Sequence, residues 1–494
     1  MNYKMVGFVL GRIFLIEAAL MLFPMGCAAI YGEWSVVLSF LWPTLIVLAL
    51  GLITSLRTPQ NTKIYARDGL AIVALVWVLM SVFGALPFVI SGEIPSFADA
   101  FFETVSGFTT TGSTILTDVE ALSHGTLFWR SFSHWIGGMG ILVFLLAVLP
   151  LVGGSNMQLM KAESPGPSVG KLVPKVRFTA RILYVLYVAL TLLQVLVMLM
   201  GGMTLYEALC TSFGTAGTGG FGIYGDSIAR FSPFLQWAIT VFMIAFGVNF
   251  NVYFLLYMRR PKDALHCEEM HWYLGIIAAA ALLICANAYD VTLTLENNLR
   301  QSFFQVASII TTTGFATTDF NLWPGFSHSI LVLLMFIGAC AGSTGGGLKV
   351  SRIVIGFKSV LTYLGAFLHP RAVRKVKFED KDVDAETMHA ICVYFIAAIG
   401  LFVISVLLVA LDGFDLVTTF SAVAATFNNI GPGLGVAGPT SNFAAFSDFS
   451  KVVMTMDMLL GRLEVFPMLM LFYPPLWKES IGEARIRRNR TALH

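Results

Sequence analysis

Long apolar runs separated by short polar segments dominate the pattern along the 494-residue chain. Ten of these runs are long enough to cross a bilayer, since a transmembrane helix needs about 20 predominantly apolar residues. The pattern therefore predicts an all-α integral membrane protein. The run at 328–365 is too long for a simple span and contains GACAGSTGGGLK (338–349), so we predict a broken helix there. The runs are 8–30, 36–56, 69–91, 127–150, 180–201, 232–257, 273–290, 328–365, 388–411 and 447–473.

The composition argues against a soluble globular protein. Hydrophobic residues make up 57% and charged residues only 12% of the chain, whereas soluble domains carry about 25% charged residues. The six cysteines show no paired spacing, so the sequence predicts neither a disulfide framework nor a metal site. The stretch HCEEMH at 266–271 does not change this, because histidines five residues apart do not share a helical face.

Basic residues cluster in one set of polar segments, which the positive-inside rule makes cytoplasmic. We therefore expect a multi-pass protein of the cytoplasmic membrane (cell inner membrane) with both termini in the cytosol. The dense run at 371–377 has three interpretations: contact with anionic membrane lipids, contact with a partner protein, or simple topology. The cytoplasmic set is Lys4, Arg57, Lys63, Arg67, Lys161, Lys171, Lys175, Arg177, Arg181, Arg259, Arg260, Lys262, Arg371, Arg374, Lys375, Lys377, Lys478, Arg485, Arg487, Arg488 and Arg490. The opposite set is Arg130, Arg230, Arg300 and Lys451.

Four segments between pairs of spans repeat one pattern, in which a short, partly apolar stretch leads into a glycine loop. Aligned without gaps on one glycine each, they carry a small residue six and twelve positions earlier and Phe or Leu eleven positions earlier. Such periodicity marks an internal repeat of helix, pore helix, glycine loop and helix. The segments are AFFETVSGFTTTGST (100–114), ALCTSFGTAGTGGFG (208–222), SFFQVASIITTTGFA (302–316) and TFSAVAATFNNIGPG (419–433), aligned on Gly112, Gly220, Gly314 and Gly431.

The repeated loop has the properties of a cation filter. Glycine adopts positive φ readily, which lets successive carbonyls face one axis, whereas threonine does not do so cheaply. Each short helix before a loop points its negative C-terminal end at the same axis. Rings of carbonyl oxygens replace the water shell of a monovalent cation. The predicted filter residues are Thr110, Thr111, Gly112, Thr218, Gly219, Gly220, Thr312, Thr313, Gly314, Asn429, Ile430 and Gly431.

Charges near these loops refine the prediction. No ring of carboxylates accompanies the aligned glycines, which argues against a calcium filter and against an anion pore. Asp118, Asp226 and Asp319 follow the glycines by five or six residues, and we expect them to raise the cation concentration at the mouth. Ordinary threonine-rich and glycine-rich loops are the alternative for any single copy, but four aligned copies argue against it.

Together with these loops, three further motifs make the chain resemble the Trk/Ktr/HKT superfamily of potassium transport proteins. The motifs are WRSFSHWIGGMGI (129–141), GACAGSTGGGLKVSRI (338–353) and GRLEVFP (461–467), and the resemblance covers essentially the whole chain. The two spans before residue 60 resemble the extra N-terminal hairpin of the TrkH branch. The resemblance implies four pseudo-fourfold helix–pore-loop–helix units, a homodimer, and a cytosolic ring of TrkA-like RCK-domain subunits that bind nucleotide. It implies K⁺ as the transported ion, and no other bound cofactor is expected in this chain.

The predicted organisation is a transmembrane hairpin followed by four pore repeats. No segment is large enough to be the soluble regulator itself. The spacing GxGxxG at Gly220, Gly222 and Gly225 follows no strand and opens no βαβ unit, so we do not interpret it as a nucleotide site. The boundaries are 1–62 for the hairpin, 63–160 and 161–264 for repeats one and two, 265–375 for repeat three with its broken second helix, and 376–494 for repeat four and a basic cytosolic tail.

The resemblance bears on ion selectivity. Sodium-selective relatives commonly carry serine where Gly112 stands, so four aligned glycines favour potassium. The fourth loop departs from the threonine pattern, because Asn428 and Asn429 replace threonines there. The pseudo-fourfold symmetry is therefore expected to be imperfect.

The glycine-rich break and two basic residues are the candidates for a gate. Non-helical backbone at membrane depth must be buried in protein or line a cavity, and the resemblance places this stretch below the filter as a gate. A passive hinge or a close-packing site is the alternative. The resemblance places Arg462 in the pore as an electrostatic barrier, whereas its alternative is snorkelling to the surface. For Lys349, a gate role and plain positive-inside charge are equally open. The predicted gate residues are Gly342, Ser343, Thr344, Gly345, Gly346, Gly347, Lys349 and Arg462.

Potassium uptake through a gated filter is the function that the sequence favours. A sodium or mixed sodium–potassium transporter of the same fold is one alternative, and the pore subunit of an ATP-driven potassium pump is another. The motif GRLEVFP and the N-terminal hairpin argue against the pump subunit. The chain has no HExxH motif, paired intramembrane acids or nucleophile elbow, so we do not expect an enzyme, and no nucleic-acid partner is expected.

Overall fold

The computed structural model describes residues 1–61, 64–140, 176–369 and 374–477, and helices account for most of them. The α-helices are α1 (Tyr3–Ile30), α2 (Trp34–Ser55), α3 (Ala66–Ser91), α4 (Phe97–Phe108), α5 (His124–Gly138), α6 (Val176–Met200), α7 (Leu205–Gly217), α8 (Pro233–Gly247), α9 (Phe250–Tyr257), α10 (Pro261–Leu265), α11 (Glu268–Asn287), α12 (Leu295–Ile310), α13 (Gly325–Ile337), α14 (Val350–Leu368), α15 (Ala385–Val409), α16 (Leu416–Phe427), α17 (Asp448–Arg462), α18 (Phe466–Leu471) and α19 (Pro474–Trp477). Short 3-10 turns lie at Phe320–Leu322, Ala410–Asp412 and Gly435–Ala437. Strands β1 (Lys377–Phe378) and β2 (Lys381–Asp382) pair antiparallel, with Lys377 opposite Asp382.

Helices α1 and α2 form an N-terminal hairpin that packs against α3 and α5. The two helices approach closely, since a Cβ on Gly51 would lie 3.0 Å from the Gly11 carbonyl oxygen. At the hairpin turn, the Glu33 carboxylate accepts hydrogen bonds from the backbone N–H groups of His124 (2.8 Å) and Gly125 (3.0 Å). The carboxylate therefore caps the first turn of α5, where unpaired N–H groups and the helix dipole favour negative charge.

Four units of one plan follow the hairpin. Each has a long helix, a short re-entrant helix, a glycine loop and a second helix, and the re-entrant helices are α4, α7, α12 and α16. Every re-entrant helix begins at a side chain that accepts a hydrogen bond from the N–H group three residues on, which satisfies one free donor of the first turn. The accepting side chains are Ser96, Thr204, Thr294 and Asp415, and the donors are the N–H groups of Asp99, Glu207, Asn297 and Thr418 respectively.

The all-α membrane fold predicted from the sequence is confirmed. Within the described residues, seven helices are long and apolar enough to cross a membrane, and the bent pair α8–α9 makes an eighth span if it is counted as one. The predicted break within 328–365 is also confirmed, because α13 ends at Ile337 and α14 begins at Val350. The predicted span 127–150 is described only through residue 140.

Two predicted spans are wrong as continuous helices. The run 232–257 bends by 87° between α8 and α9, where Val248 is extended and the Asn249 side chain caps the new helix. The run 447–473 is interrupted between α17 and α18, where Glu464 has a φ of 54°. Hydropathy alone could not place these breaks, because apolar residues continue on both sides of each of them.

Candidate functional site

The four glycine loops, residues 109–112, 217–220, 311–314 and 428–431, share one backbone conformation. In each loop, positive φ occurs at the aligned glycine and again two residues before it. Threonine adopts this costly conformation at three positions, and such strain concentrates at functional sites. The glycine φ values are 84° at Gly112, 75° at Gly220, 83° at Gly314 and 102° at Gly431. The earlier residues are Thr110 (56°), Thr218 (55°), Thr312 (59°) and Asn429 (56°).

The loops contact one another in a closed cycle. A Cβ added to any aligned glycine would lie closer than 3.0 Å to a carbonyl oxygen of the next loop, a separation that real Cβ atoms essentially never show. In every case that oxygen belongs to the residue just before the next aligned glycine. The predicted filter residues are therefore brought together in a pseudo-fourfold ring. The contacts run from Gly112 to Gly219, from Gly220 to Thr313, from Gly314 to Ile430, and from Gly431 back to Thr111.

Equivalent backbone hydrogen bonds shape every loop. The N–H group just before each aligned glycine donates to the carbonyl six residues before that glycine, over 2.8–2.9 Å. The acceptors are the small residues that the sequence alignment identified, and packing limits their size: a Cβ on Gly214 would lie 2.9 Å from the Phe315 ring. The donor–acceptor pairs are Thr111 to Ser106, Gly219 to Gly214, Thr313 to Ser308 and Ile430 to Ala425.

Loops one and three also share their side-chain bonding. Thr109 donates its hydroxyl to the Val105 carbonyl over 2.6 Å and lies 2.8 Å from the Thr111 hydroxyl. Thr311 lies 2.7 Å from the Thr313 hydroxyl and likewise donates to a carbonyl of its own re-entrant helix. Because the first hydroxyl of each pair is already a donor to the helix, the second donates to the first. These two loops are therefore braced by matching hydroxyl chains.

In loop two, a histidine from the first unit takes the place of the hydroxyl pair. The His134 ring contacts Gly219 so closely that a side chain at 219 would overlap it. The Phe221 N–H group donates to Nε2 of His134 over 3.1 Å, and Nδ1 lies 2.8 Å from the Gly107 carbonyl oxygen. Since Nε2 accepts a hydrogen bond, the proton is on Nδ1 and the imidazole is neutral. His134 thus links α4, α5 and loop two.

In loop four, an asparagine side chain makes the corresponding connections. Asn429 donates through Nδ2 to the Thr111 hydroxyl of loop one and to the Met458 carbonyl of α17, both over 2.9 Å. The neighbouring Asn428 donates to the Ala424 carbonyl of its own re-entrant helix over 3.0 Å. The departure from the threonine pattern therefore fastens loop four to loop one and to the helix that follows it.

A buried ion pair braces loop one from behind. Glu103 on α4 and Arg130 on α5 lie 2.7 Å apart, and their side chains are 0% and 2% exposed. The Glu103 carboxylate also accepts the Thr114 hydroxyl (2.9 Å) and the Ile115 N–H group (3.0 Å), which fixes the chain just beyond the loop. The Arg130 guanidinium lies 4.1 Å from the centre of the Phe221 ring. Sequence reasoning missed this pair because it counted Arg130 only among the basic residues opposite to the cytoplasmic set.

The break segment, residues 338–349 between α13 and α14, lies against loops three and four where the re-entrant helices end. The Gly346 N–H group donates to the Thr312 hydroxyl over 2.7 Å. A Cβ on Gly345 would lie 2.9 Å from the Thr311 carbonyl oxygen, and one on Gly346 would lie 2.7 Å from that of Asn428. Glycine is required here because the backbone itself approaches the two loops.

The break segment is also bonded to the bend between α8 and α9. Its non-helical backbone is thereby paired inside the protein, as irregular backbone at membrane depth must be. Gly342 and Gly347 have φ values of 69° and 73°, which lets the chain fold back on itself. The bonds are Cys340 N–H to Gly247 O (3.1 Å), Phe250 N–H to Gly342 O (3.1 Å), Thr344 hydroxyl to Phe246 O (3.3 Å) and, within the segment, Ser343 hydroxyl to Cys340 O (2.6 Å).

Both predicted basic residues lie at this segment. Arg462 donates to the Thr344 carbonyl over 2.8 Å and to the Gly138 carbonyl over 3.1 Å, and it also bonds the Gly137 carbonyl. It therefore bridges the break segment to the end of α5. The Lys349 ammonium donates to a carbonyl of the same segment, and the residue is only 3% exposed, so it is not a solvated surface charge.

Two carboxylates that sequence reasoning did not select bind the break segment or the first turn of α14. Glu269 accepts the N–H groups of Ala341 (2.7 Å) and Ser351 (3.1 Å), and it is 2% exposed. Glu464 pairs with Arg352 at 2.6 Å, although it stands two residues from Arg462 in the sequence. HCEEMH at 266–271 gave no signal of this role, because burial of Glu269 depends on a helix distant in sequence.

The acids near the mouth do not all carry free charge. Asp226 pairs with Arg230 at 2.7 Å, and the same arginine binds Glu120 at 2.9 Å. Nearby, Tyr224 donates a hydrogen bond to Glu207, and this bond raises the pKa of Tyr224 to about 12. The contribution expected from Asp226 to cation attraction is therefore reduced by its arginine partner.

Some predicted basic positions lie outside the described residues, and no metal-binding cluster occurs within 1–61, 64–140, 176–369 and 374–477. Of the run at 371–377, Lys375 pairs with Asp382 at 2.9 Å beside the β1–β2 turn. The positions outside the described residues are Lys63, Lys161, Lys171, Lys175, Arg371, Lys478, Arg485, Arg487, Arg488 and Arg490, together with the side chain of Arg177.

Comparison with known proteins gives concordant results. The family model described as "TrkH: Cation transport protein" matches residues 36–285 and 277–479. The chain is 37% identical over 493 residues to the Trk system potassium uptake protein TrkH of Salmonella typhimurium, covering 97% of this chain and all of that protein. It is 32% identical over 482 residues to the Trk system potassium uptake protein TrkG of Escherichia coli, covering 97% of this chain and 99% of that protein.

A solved structure extends this likeness to the fold. The crystal structure of the potassium transporter TrkH from Vibrio parahaemolyticus superposes with a TM-score of 0.86 at 32% identity, covering 97% of this chain and all of that one. The match spans the hairpin and the four units alike. On these grounds the chain belongs to the TrkH family of cation transport proteins.

Proposed function

We propose that this protein is the ion-translocating subunit of a Trk-type potassium uptake system, passing K⁺ through the ring of glycine loops. The observation that carries the proposal is the closed cycle of contacts between four loops with matching left-handed residues. Backbone held in this way presents carbonyl oxygens in place of a hydration shell. The names of the relatives, all transport proteins rather than enzymes, support the same function.

Potassium is the ion that we assign to the filter. The twelve residues named from the sequence, from Thr110 to Gly431, are proposed to bind it through backbone carbonyls. A glycine stands at the aligned position of all four loops, which supports potassium over sodium. The sodium or mixed-ion alternative is an outcome of the experiment below.

The break segment is proposed as the gate. Its support is position: Gly345 and Gly346 lie against loops three and four, and Arg462 ties Thr344 to the end of α5. The arginine adds positive charge close to the path that a cation would take. Opening requires the break segment to leave these contacts. Its bonds to the bend between α8 and α9 and to Glu269 would transmit a movement of those elements to the segment.

The remaining assignments follow from family membership and charge. We place the repeat boundaries after residues 62, 160, 264 and 375. We assign the protein to the cytoplasmic membrane with both termini in the cytosol, since basic residues concentrate on that side. A homodimer and a TrkA-like RCK-domain regulator that binds nucleotide are the proposed partners, because the relatives are named as members of a Trk system. Anionic lipids are a further proposed contact of the basic run at 371–377.

Cation flux in liposomes tests the proposal. Purified protein is reconstituted, and uptake of K⁺, Rb⁺, Na⁺ and Li⁺ is measured for the wild type and for Gly112→Ser. We expect the wild type to pass K⁺ and Rb⁺ well above Na⁺ and the variant to lose that preference, because a Cβ at 112 displaces the Gly219 carbonyl. Equal passage of Na⁺ and K⁺ by the wild type would show that the filter is not potassium-selective.

A further inference from the structure

The buried carboxylate of Asp457 differs from that of Glu103, because it forms no ion pair with a cation among the described residues. Asp457 lies on α17, five residues before Arg462, and is 1% exposed. Its Oδ1 accepts the Ser405 hydroxyl of α15 over 2.6 Å. Its Oδ2 accepts no hydrogen bond from any described residue. The carboxyl group therefore sits within the helix packing with one neutral donor.

Both basic residues of α17, Lys451 and Arg462, bind other groups. Helix α17 packs against α4, α15, α16 and α18. Lys451 pairs with Asp99 at 2.7 Å, Glu103 pairs with Arg130, and Arg462 donates to backbone carbonyls. None of the ion pairs among the described residues includes Asp457. The titratable or charged groups on these elements are Asp99 and Glu103 on α4, Glu386, His389, Cys392 and Tyr394 on α15, the cap Asp415 of α16, and Asp448, Lys451 and Arg462 on α17 itself.

Burial without a cation has a chemical consequence. An isolated carboxylate removed from water costs several kcal/mol, and such a group takes up a proton instead of remaining charged. Glu103 avoids this cost through Arg130, the Thr114 hydroxyl and the Ile115 N–H group. A protonated Asp457 would be a neutral group that carries the proton on its unpaired oxygen Oδ2. An ionised Asp457 would be a full negative charge inside the helix bundle.

Asp457 is one residue from the contact that holds loop four. The next residue, Met458, accepts the Asn429 amide, which also donates to Thr111 in loop one. On the other side, Phe402 of α15 contacts Phe427 at the end of α16, with ring centres 6.0 Å apart. The carboxyl group therefore lies between two elements that support the fourth loop.

We propose that Asp457 is a proton-binding site whose charge state sets cation flux through the ring of glycine loops. This inference rests on the proposed function of that ring. The ionised form places a negative charge near loop four and raises cation occupancy there, whereas the protonated form removes that attraction. Flux therefore rises as the proton leaves, and falls as pH falls.

A pH series of K⁺ flux with isosteric variants tests the site. We compare wild type, Asp457→Asn and Glu17→Gln, the last being a matched control because Glu17 on α1 is also fully buried, with no hydrogen bond to either oxygen from a described residue. We expect wild-type flux to rise about tenfold from acidic to alkaline pH, Asp457→Asn to stay at the low value throughout, and Glu17→Gln to keep the wild-type profile. A wild-type profile in Asp457→Asn, or a flat profile in wild type, would overturn the proposal.

Infrared difference spectroscopy gives a readout that does not depend on transport. The protonated-carboxyl stretch that appears on acidification of the purified wild type should lose one component in Asp457→Asn. If the spectra of wild type and variant are identical, Asp457 binds no proton and the inference fails. If the wild type carries no K⁺ at any pH but Asp457→Asn still lacks one component of the carboxyl stretch, the proposed function fails while the proton site stands.

Discussion

The first and fourth units share a backbone plan and differ in the side chains placed on it. In unit one, a Cβ on Gly137 of α5 would overlap the carbonyl of Phe108, and in unit four a Cβ on Gly461 of α17 would overlap the carbonyl of Phe427. The two carbonyl groups, of Phe108 and Phe427, both stand four residues before the aligned glycine of their loop. The second helices therefore seat against their loops in the same way.

The residues that follow these two glycines are different. After Gly137 stands Gly138, whose carbonyl accepts the Arg462 guanidinium, and Arg462 is the residue that follows Gly461. Unit four thus supplies the arginine, and unit one supplies two of its acceptors, the carbonyls of Gly137 and Gly138. The comparison teaches that glycines and backbone bonds repeat to build the ring, whereas the bracing and the proposed gate depend on side chains that occur in single copies.

The largest effect is expected from removing the buried Glu103–Arg130 ion pair of unit one. Glu103→Gln makes unit one resemble unit three, which carries Gln305 at the aligned position. Arg130 would then stay buried without a carboxylate, at a cost of about 3–5 kcal/mol. Thermal unfolding of the detergent-solubilised protein should show a large loss of stability.

Two controls sharpen this test. Arg230→Gln breaks an ion pair whose side chains are 39% and 42% exposed, and it should change stability by less than about 1 kcal/mol. The double variant Glu103→Gln with Arg130→Gln should recover part of the loss, because no charge is left unpaired. Wild-type stability in the single variant would mean that the pair does not brace loop one.

The next effect is expected from removing Arg462 of unit four. Arg462→Gln loses charge-assisted bonds to Thr344 and Gly138, each worth about 1.5–3 kcal/mol. If these bonds hold the break segment closed, K⁺ flux in liposomes should rise about tenfold, which corresponds to about 1.4 kcal/mol. Arg300→Gln is the control, since it removes a buried arginine that pairs with Glu296 at 2.6 Å. Unchanged flux in Arg462→Gln would remove the arginine from the gate.

A smaller difference is expected between two aligned glycines. Alanine at Gly314 meets both the Ile430 carbonyl and the Pro432 ring, whereas alanine at Gly431 meets the Thr111 carbonyl oxygen at 2.8 Å. Both must also adopt left-handed φ, which costs about 1–2 kcal/mol. Gly314→Ala should therefore lower K⁺ flux more than Gly431→Ala, when each is normalised to the folded protein recovered. Equal losses would indicate that backbone strain, not contact with the next loop, limits both.

The sequence was sufficient for the features that repeat, because repetition makes a weak local pattern specific. The hairpin, the four units and the break within 328–365 were all predictable from apolar runs and aligned glycines. The bend between α8 and α9 and the interruption after Arg462 were not, since hydropathy is insensitive to them.

The candidate site shows the same limit. The predicted ring residues do lie together, but positive φ at Thr110, Thr218 and Thr312 could not be read from a residue type that rarely adopts it. The Glu103–Arg130 and Glu269 contacts were also missed. They join residues far apart in sequence, so no local pattern carries them.

The smallest effect is expected from making loop four resemble the other three. Asn429→Thr restores the residue type found at 110, 218 and 312, but it loses the amide bonds to Thr111 and to the Met458 carbonyl. Each lost bond is worth about 1 kcal/mol. The loss is offset in part because the substitution also removes Oδ1 of Asn429, a buried oxygen that accepts no hydrogen bond from a described residue. Since the amide fastens loop four to loop one, we expect the K⁺ over Na⁺ flux ratio to fall by about threefold, in keeping with that energy. A ratio that rises instead would show that the asymmetric loop limits selectivity in the wild type and that a fourfold ring of threonines discriminates better.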